Sequence, residues 1–197
     1  RMSMPTTNET SLPTAQQLDA ERRRLRYRRR YRRTLRSTIA ILIVVAALAV
    51  LAATLWMPVL RVYGSSMAPT LQNGEILVSV KSRSFEPGDI IAFYHGNKLL
   101  IKRYIAGSSD YVNIGEDGTV SVNGTPLDEP YLTEKAFGET DIELPYQVPD
   151  QRYFVMGDNR SVSIDSRSSI VGCIAADQIV GKVVFRVWPL SAFGALN

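Results

Sequence analysis

Cysteine and histidine are nearly missing from this chain: Cys173 and His95 stand alone among 197 residues. A lone cysteine excludes an intramolecular disulfide, and the two residues together cannot build a Cys/His zinc cluster. A Ser-His-Asp triad would have to use His95. That residue sits in Tyr94-His95-Gly96-Asn97, which reads as an exposed hairpin turn between two apolar runs. Cys173 falls in an apolar, strand-like run and reads as a small core residue. Charge is missing altogether from residues 37–60.

The charge that is present is unevenly shared. Residues 1–36 carry eleven Arg against Glu9, Asp19 and Glu21, a net of +8. Residues 61–197 carry twelve Lys/Arg against sixteen Asp/Glu, a net of −4. The overall +4 thus belongs to the N-terminal stretch, and the remainder is mildly acidic. A nucleic-acid-binding domain needs a basic folded part, so nucleic acid is not an expected partner.

Residues 1–36 read as a disordered, Arg-rich tail: the first twenty are polar and aperiodic, and ten arginines follow between Arg22 and Arg36. The uncharged residues 37–60 read as a transmembrane helix, since about 20 residues at ~1.5 Å each span a ~30 Å hydrocarbon core. Trp56 suits the interfacial aromatic belt, and Pro58 sits where a helix can end. Ten arginines on one flank against Arg61 on the other put the N-terminus in the cytoplasm and residues 61–197 outside. A cleaved signal peptide would have a shorter apolar core and a small-x-small site, where this chain has Trp56-Met57-Pro58-Val59. A retained, single-pass signal anchor is expected.

Beyond Leu60 the pattern changes to short runs rich in Val, Ile, Phe and Tyr, broken by Gly, Asn, Asp and Pro. Glu75–Val80, Asp89–Tyr94, Lys98–Ile105, Tyr153–Met156 and Gln178–Trp188 are the clearest. No long window has a 3.6-residue period, so the domain is mostly β. Turn residues crowd between about 106 and 151, with Asn123-Gly124 a hairpin signal, and that stretch reads as a smaller β subdomain or insertion.

Three stretches carry possible chemistry. In Gly64-Ser65-Ser66-Met67-Ala68-Pro69-Thr70-Leu71, Pro69 pushes Ala68 toward extended geometry and Gly64 permits close backbone approach, so a tightly turned serine pair is exposed. The residues themselves do not choose between Ser65 and Ser66. Lys102 lies within an apolar strand, on the face shared by Leu100 and Tyr104. A lysine snorkelling at an edge is the plain reading. A buried ammonium, however, loses solvation and can fall from ~10.4 into the ~7–8 range in which it accepts a serine proton. Gly157-Asp158-Asn159-Arg160-Ser161-Val162-Ser163-Ile164-Asp165-Ser166-Arg167 alternates acids, arginines and hydroxyls, reading either as a solvated loop or as a salt-bridged platform.

Gly-x-Ser-Met-x-Pro-Thr-Leu, then Lys-Arg after an apolar strand, then Gly-Asp-Asn-Arg-x-x-Ser-x-Asp-Ser-Arg resembles bacterial type I signal peptidase, over about residues 60 to 190. Pro87-Gly88-Asp89-Ile90-Ile91 and Asn123-Gly124 through Glu129-Pro130-Tyr131 are similar to the family as well. The resemblance implies a β catalytic domain of the signal-peptidase and SOS-repressor kind behind one transmembrane helix. It implies a membrane-bound serine endopeptidase that cuts signal peptides from exported preproteins without a metal or cofactor. It implies Ser66 as nucleophile, choosing it over Ser65, and Lys102 as general base of an acyl-enzyme mechanism. Ser163 matches a serine that hydrogen-bonds the lysine, and Arg103, Asp158, Asp165 and Arg167 match charges that brace the site. Some members have a hydroxyl where this chain has Gly64, so backbone N–H groups are expected to carry more of the oxyanion hole. Signal peptides and membrane lipid are the implied partners, with the protein-export channel a further candidate. Trp56, Met57, Trp188 and Phe193 are candidates for lipid contact, with a core position the alternative for Trp188. Two rival readings are a soluble self-cleaving regulator of the SOS-repressor type, against which the apolar span argues, and a signal-anchored β adhesion module whose serine motif is only a turn.

Overall fold

The computed structural model describes residues 15–196. The chain divides into an N-terminal unit ending at Leu51 and a second unit from Ala52 onward. Helix α1 runs from Ala15 to Trp56. It is the one helix among the described residues that is long and apolar enough to cross a membrane.

This differs at both ends from the expected boundaries. Residues 15–36, expected to be disordered, are helical; residues 1–14 of that tail lie outside the described residues. Between Thr14 and Met57 the chain has no Gly or Pro and is rich in Ala, Leu, Gln, Glu and Arg, all good helix formers. Once the apolar segment has nucleated a helix, each added residue contributes one bond for one residue fixed, and the arginine stretch continues it. At the other end the helix stops at Trp56, four residues before the expected Leu60. Pro58 disfavours helical geometry at Met57. Val59–Arg61 then form strand β1, pairing antiparallel with β2 (Ile76–Val80).

The second unit is built on two antiparallel sheets, as its short β-branched runs require. The larger sheet has the order β1-β2-β11-β3-β4-β9-β10, where β3 is Ile90–His95, β4 Lys98–Ala106, β9 Arg152–Met156, β10 Ile174–Ala175 and β11 Ile179–Trp188. A last short strand, β12 (Gly194–Ala195), pairs with β11. The central strand β3 is apolar on both faces: Ile90 and Ala92 join one buried cluster with Leu60, Val62, Met67, Leu71 and Leu77, while Ile91 and Phe93 join another with Tyr104, Val155 and Ile174.

The smaller sheet has the order β7-β6-β5-β8, comprising β5 (Tyr111–Ile114), β6 (Val120–Val122), β7 (Thr125–Pro126) and β8 (Tyr146–Gln147). It lies within the turn-rich stretch, with Asn123-Gly124 forming the turn between β6 and β7. The alternation of β5 buries Val112 and Ile114 and leaves Tyr111 and Asn113 outside. Val112 and Ile114, with Val120 and Val148, pack on Ile105 at the end of β4, on Phe154 and Met156 of β9, and on Cys173. One apolar cluster thus joins the small sheet to the strands that carry the site.

Phe154 is fully buried in that cluster. Phe154→Ala is expected to lower unfolding free energy by about 3–5 kcal/mol, measured by denaturant titration in detergent and accompanied by loss of the small sheet's protection from hydrogen exchange.

Candidate active site

The β3–β4 hairpin sets the position of the lysine. Its register pairs Ile91 with Lys102 and Ile90 with Arg103. On the other side of β4, Arg103 pairs with Met156 of β9. The chain therefore leaves β9 at Gly157 beside Arg103, and the loop 157–167 is delivered to the Lys102–Arg103 edge.

The serine segment reaches the same place from the β1–β2 connection. Val62 N–H donates to Glu75 O (2.9 Å) and Gly74 N–H to Val62 O (2.9 Å), closing the base of the loop. Gly64 has φ +87°, a conformation natural only to glycine, and its N–H donates to Asn73 Oδ1 across the loop (3.1 Å). Met67 and Leu71 are buried, and Leu71 N–H donates to Met67 O (2.8 Å). Arg186 of β11 donates to Thr70 O (2.5 Å) and pairs with Glu75 (3.1 Å), tying down the far end of the segment. Ser66 is left half-buried between these anchors.

Ser66, Gly64 and Lys102 line one small cavity of about 50 Å³, together with Arg61, Val62, Tyr63, Met67 and residues 99–101. The loop 157–167 holds the serine's backbone directly. Asn159 N–H donates to Ser66 O (3.0 Å) and Asn159 Nδ2 to Ser65 O (3.3 Å). The approach is close enough to demand glycine at 157: a Cβ there would lie 2.5 Å from Ser66 O and nearer still to Ser163 Oγ.

Lys102 is only 3% exposed. Its Nζ donates to Ser163 Oγ (2.8 Å), and among the described residues it makes no ion pair. Ser163 Oγ in turn donates to Asp165 Oδ2 (2.7 Å). Burial pushes the Lys102 amine below its ordinary value; Asp165 opposes this, Arg167 adds to it and Asp158 opposes it. An ammonium there has lost its water and gained only a neutral hydroxyl.

The other buried cations are paired. Arg103 makes two bonds to Asp158 (2.8 and 2.6 Å), and Arg167 makes two to Asp165 (both 2.9 Å). Arg103 also donates to Gly88 O (2.5 Å), and Arg167 to Phe137 O (2.8 Å) and Ser163 O (3.2 Å). Gly157 N–H donates to Asp165 Oδ2 (2.9 Å). A third buried pair, Arg160–Glu129, was not singled out by sequence reasoning, nor was Asn159. The signal for Asn159 and Arg160 lay inside the Gly-Asp-Asn-Arg motif; that for Glu129 lay only in the Glu-Pro-Tyr triplet, whose spatial neighbours the sequence does not reveal.

The structure brings Ser66, Lys102, Ser163, Arg103, Asp158, Asp165, Arg167 and Gly64 into one connected region. His95 is elsewhere: it pairs with Lys98 at the hairpin tip, four residues along β3 from Ile91, or about 13 Å. Trp56, Met57, Trp188 and Phe193 are all exposed and take no part in the site.

A family model described as signal peptidase, peptidase S26, matches residues 34–188. Signal peptidase IB of Staphylococcus aureus is 40% identical over 151 residues, covering 66% of this chain and 77% of that protein. Signal peptidase I of Streptococcus pneumoniae is 31% identical over 192 residues, covering 78% of this chain and 92% of that protein. A crystal structure of a signal peptidase I from Enterococcus faecalis aligns at 28% identity with a TM-score of 0.43, over 50% of this chain and 96% of that one. With three-quarters of its length matched and the motifs of the site inside the match, the chain belongs to the signal peptidase family, peptidase S26, and is a serine endopeptidase.

Proposed function

We propose that the enzyme removes N-terminal signal peptides from exported preproteins by a Ser66–Lys102 dyad and an acyl-enzyme. The observation that carries this reading is the buried Lys102 amine, without a counter-ion among the described residues, lining the same cavity as Ser66.

Proton accounting supports the roles. Ser163 has one hydroxyl hydrogen and spends it on Asp165, so toward Lys102 it can only accept. A neutral Lys102 then gives an N–H to Ser163 and keeps its lone pair for Ser66. Lys102 takes the Ser66 Oγ proton as Oγ attacks the scissile carbonyl. The tetrahedral oxyanion is held by backbone donors; Ser66 N–H has no acceptor among the described residues and is free for that task. The Lys102 ammonium returns its proton to the departing amine of the mature protein. A water, deprotonated by Lys102, then attacks the ester and frees the signal peptide and Ser66.

Anchoring is part of the proposal. Helix α1 would cross the membrane once, with its arginines and the N-terminus in the cytoplasm and the β unit outside. Ten residues separate Trp56 from Ser66, a reach of at most about 36 Å. A signal peptide is cut just beyond its own apolar segment, so nucleophile and substrate site would lie at similar depth. An extended substrate would add to a strand edge at the cavity, with small side chains filling its modest volume. Membrane lipid and the export channel complete the proposed partners.

Ser66→Ala and Lys102→Ala are each expected to lower preprotein processing by about a thousandfold or more while circular dichroism stays unchanged; cleavage near the wild-type rate by either variant overturns the dyad.

The pH dependence has a definite sign. Catalysis needs neutral Lys102, so kcat/KM falls as pH drops through its lowered pKa. The acid limb is expected well below ~10.4 and should persist in His95→Ala. Disappearance of the limb in that variant would assign the base to His95 instead.

Stability follows the same group. The pKa of Lys102 is lower folded than unfolded, so between the two values the unfolded chain holds the extra proton and stability rises with pH. Below that window the buried lysine costs stability in full. Lys102→Met is therefore expected to be inactive yet at least as stable as wild type at neutral pH, with a flatter stability-against-pH curve above it, as read by denaturant titration.

A further inference from the structure

The brace around Lys102 extends beyond the motifs that carry the chemistry. Glu129 and Tyr131 come from the insertion between β7 and β8. The Arg160–Glu129 pair is fully buried on both sides. Arg160 also donates from Nε to Gly157 O (3.1 Å), at the residue whose N–H is bound to Asp165. The Tyr131 hydroxyl donates to Glu129 Oε1 (2.9 Å), and the Tyr131 ring lies 3.6 Å from the Arg103 guanidinium carbon. Arg103 is the strand neighbour of Lys102. One short segment of the insertion therefore holds Arg103, next to the lysine in β4, and Arg160, within the loop that delivers Ser163.

We propose that Glu129 and Tyr131 are positioning residues of the catalytic centre, fixing Arg160 and Arg103 so that the 157–167 loop and β4 present Ser163 and Lys102 in register with Ser66. The proposal rests on the Ser66–Lys102 reading. Its electrostatic content can be stated for every group around the lysine. The 157–167 loop contributes Asp158, Asp165 and Arg167, which act on Lys102 directly, and Arg160, held within the same loop at Gly157 O. Its own strand contributes Arg103, the segment before Ser66 contributes Arg61 to the shared cavity, and β3 contributes only the apolar Ile91. The three buried arginines are each neutralised by one carboxylate. Neutralising Glu129 makes that shell more positive by one charge, whichever acid Arg160 then turns to. An additional positive charge disfavours the Lys102 ammonium.

The test is the pH profile of kcat/KM for a defined preprotein, using the full chain in detergent, for wild type, Glu129→Gln, Glu129→Gln/Arg160→Gln, Tyr131→Phe, Tyr131→Leu and Lys102→Ala. Glu129→Gln is expected to move the acid limb down by about 0.5 pH unit or more, and the double variant, neutral again, to bring it back. Tyr131→Leu is expected to lower kcat by about fivefold or more at unchanged KM, while Tyr131→Phe, which keeps the ring on Arg103, retains most of the rate. An acid limb that stays in place in folded Glu129→Gln overturns the proposal. Should Glu129→Gln not fold, the Tyr131 pair decides: loss with Leu but not Phe supports it, and equal kcat in both overturns it. Lys102→Ala separates the two layers. If it remains active, the dyad reading itself fails; if it is inactive while the Glu129 and Tyr131 variants behave as wild type, only the brace does.

Discussion

The structure turns on the desolvation of one amine. Lys102 sits within β4, almost wholly out of water, with a serine hydroxyl where a surface lysine would have solvent or a carboxylate. Such a group is tolerable only if it can shed its charge, and its surroundings are arranged to let it. Each nearby carboxylate is already committed: Asp158 to Arg103, Asp165 to Arg167, Glu129 to Arg160. An acid left free beside Lys102 would have formed an ion pair, held the ammonium, and so removed the base that the proposed mechanism needs. On that proposal the arginines act on the chemistry by occupying acids that would otherwise capture the lysine.

That arrangement explains why a small enzyme buries so many charges. Buried ion pairs are weak stabilisers, because desolvation offsets much of their attraction, but breaking one by removing a single partner costs about 3–5 kcal/mol. The three pairs therefore define the site sharply. Each fixes a different piece: Arg103–Asp158 links β4 to the loop, Arg167–Asp165 shapes the loop internally, and Arg160–Glu129 ties it to the insertion. Asn159 then transfers this rigidity to the serine segment through the carbonyls of Ser65 and Ser66.

Much of the architecture was legible in the residues. Runs such as Lys98–Ile105 and Gln178–Trp188 lie within one residue of β4 and β11, because β-branched and aromatic residues bounded by turn formers have few alternatives. The helix ends were less legible: an arginine stretch reads as a solvated tail by composition, yet an adjoining apolar helix removes the nucleation cost that would keep it unfolded. In the site, the unusual feature of Lys102 was visible as a charge in an apolar strand. Its choice of partner was not, since Ser163 is 61 positions away and nothing local selects it over its neighbours. The same applies to Glu129, whose partner Arg160 lies 31 positions on. Ser65 and Ser66 could be told apart only through the family resemblance.

The contact between Asn159 and the serine segment spans 94 positions, and the lysine's hydroxyl partner is contributed still later than Asn159. In a chain emerging from the ribosome the proposed nucleophile is therefore made first, the proposed base next, and the groups that hold both only after most of the β unit exists. On that reading, a chain ending before Asn159 would carry the serine and the lysine but neither of the groups that hold them in place. On the proposed dyad reading, proteolytic competence arrives only with completion of the fold.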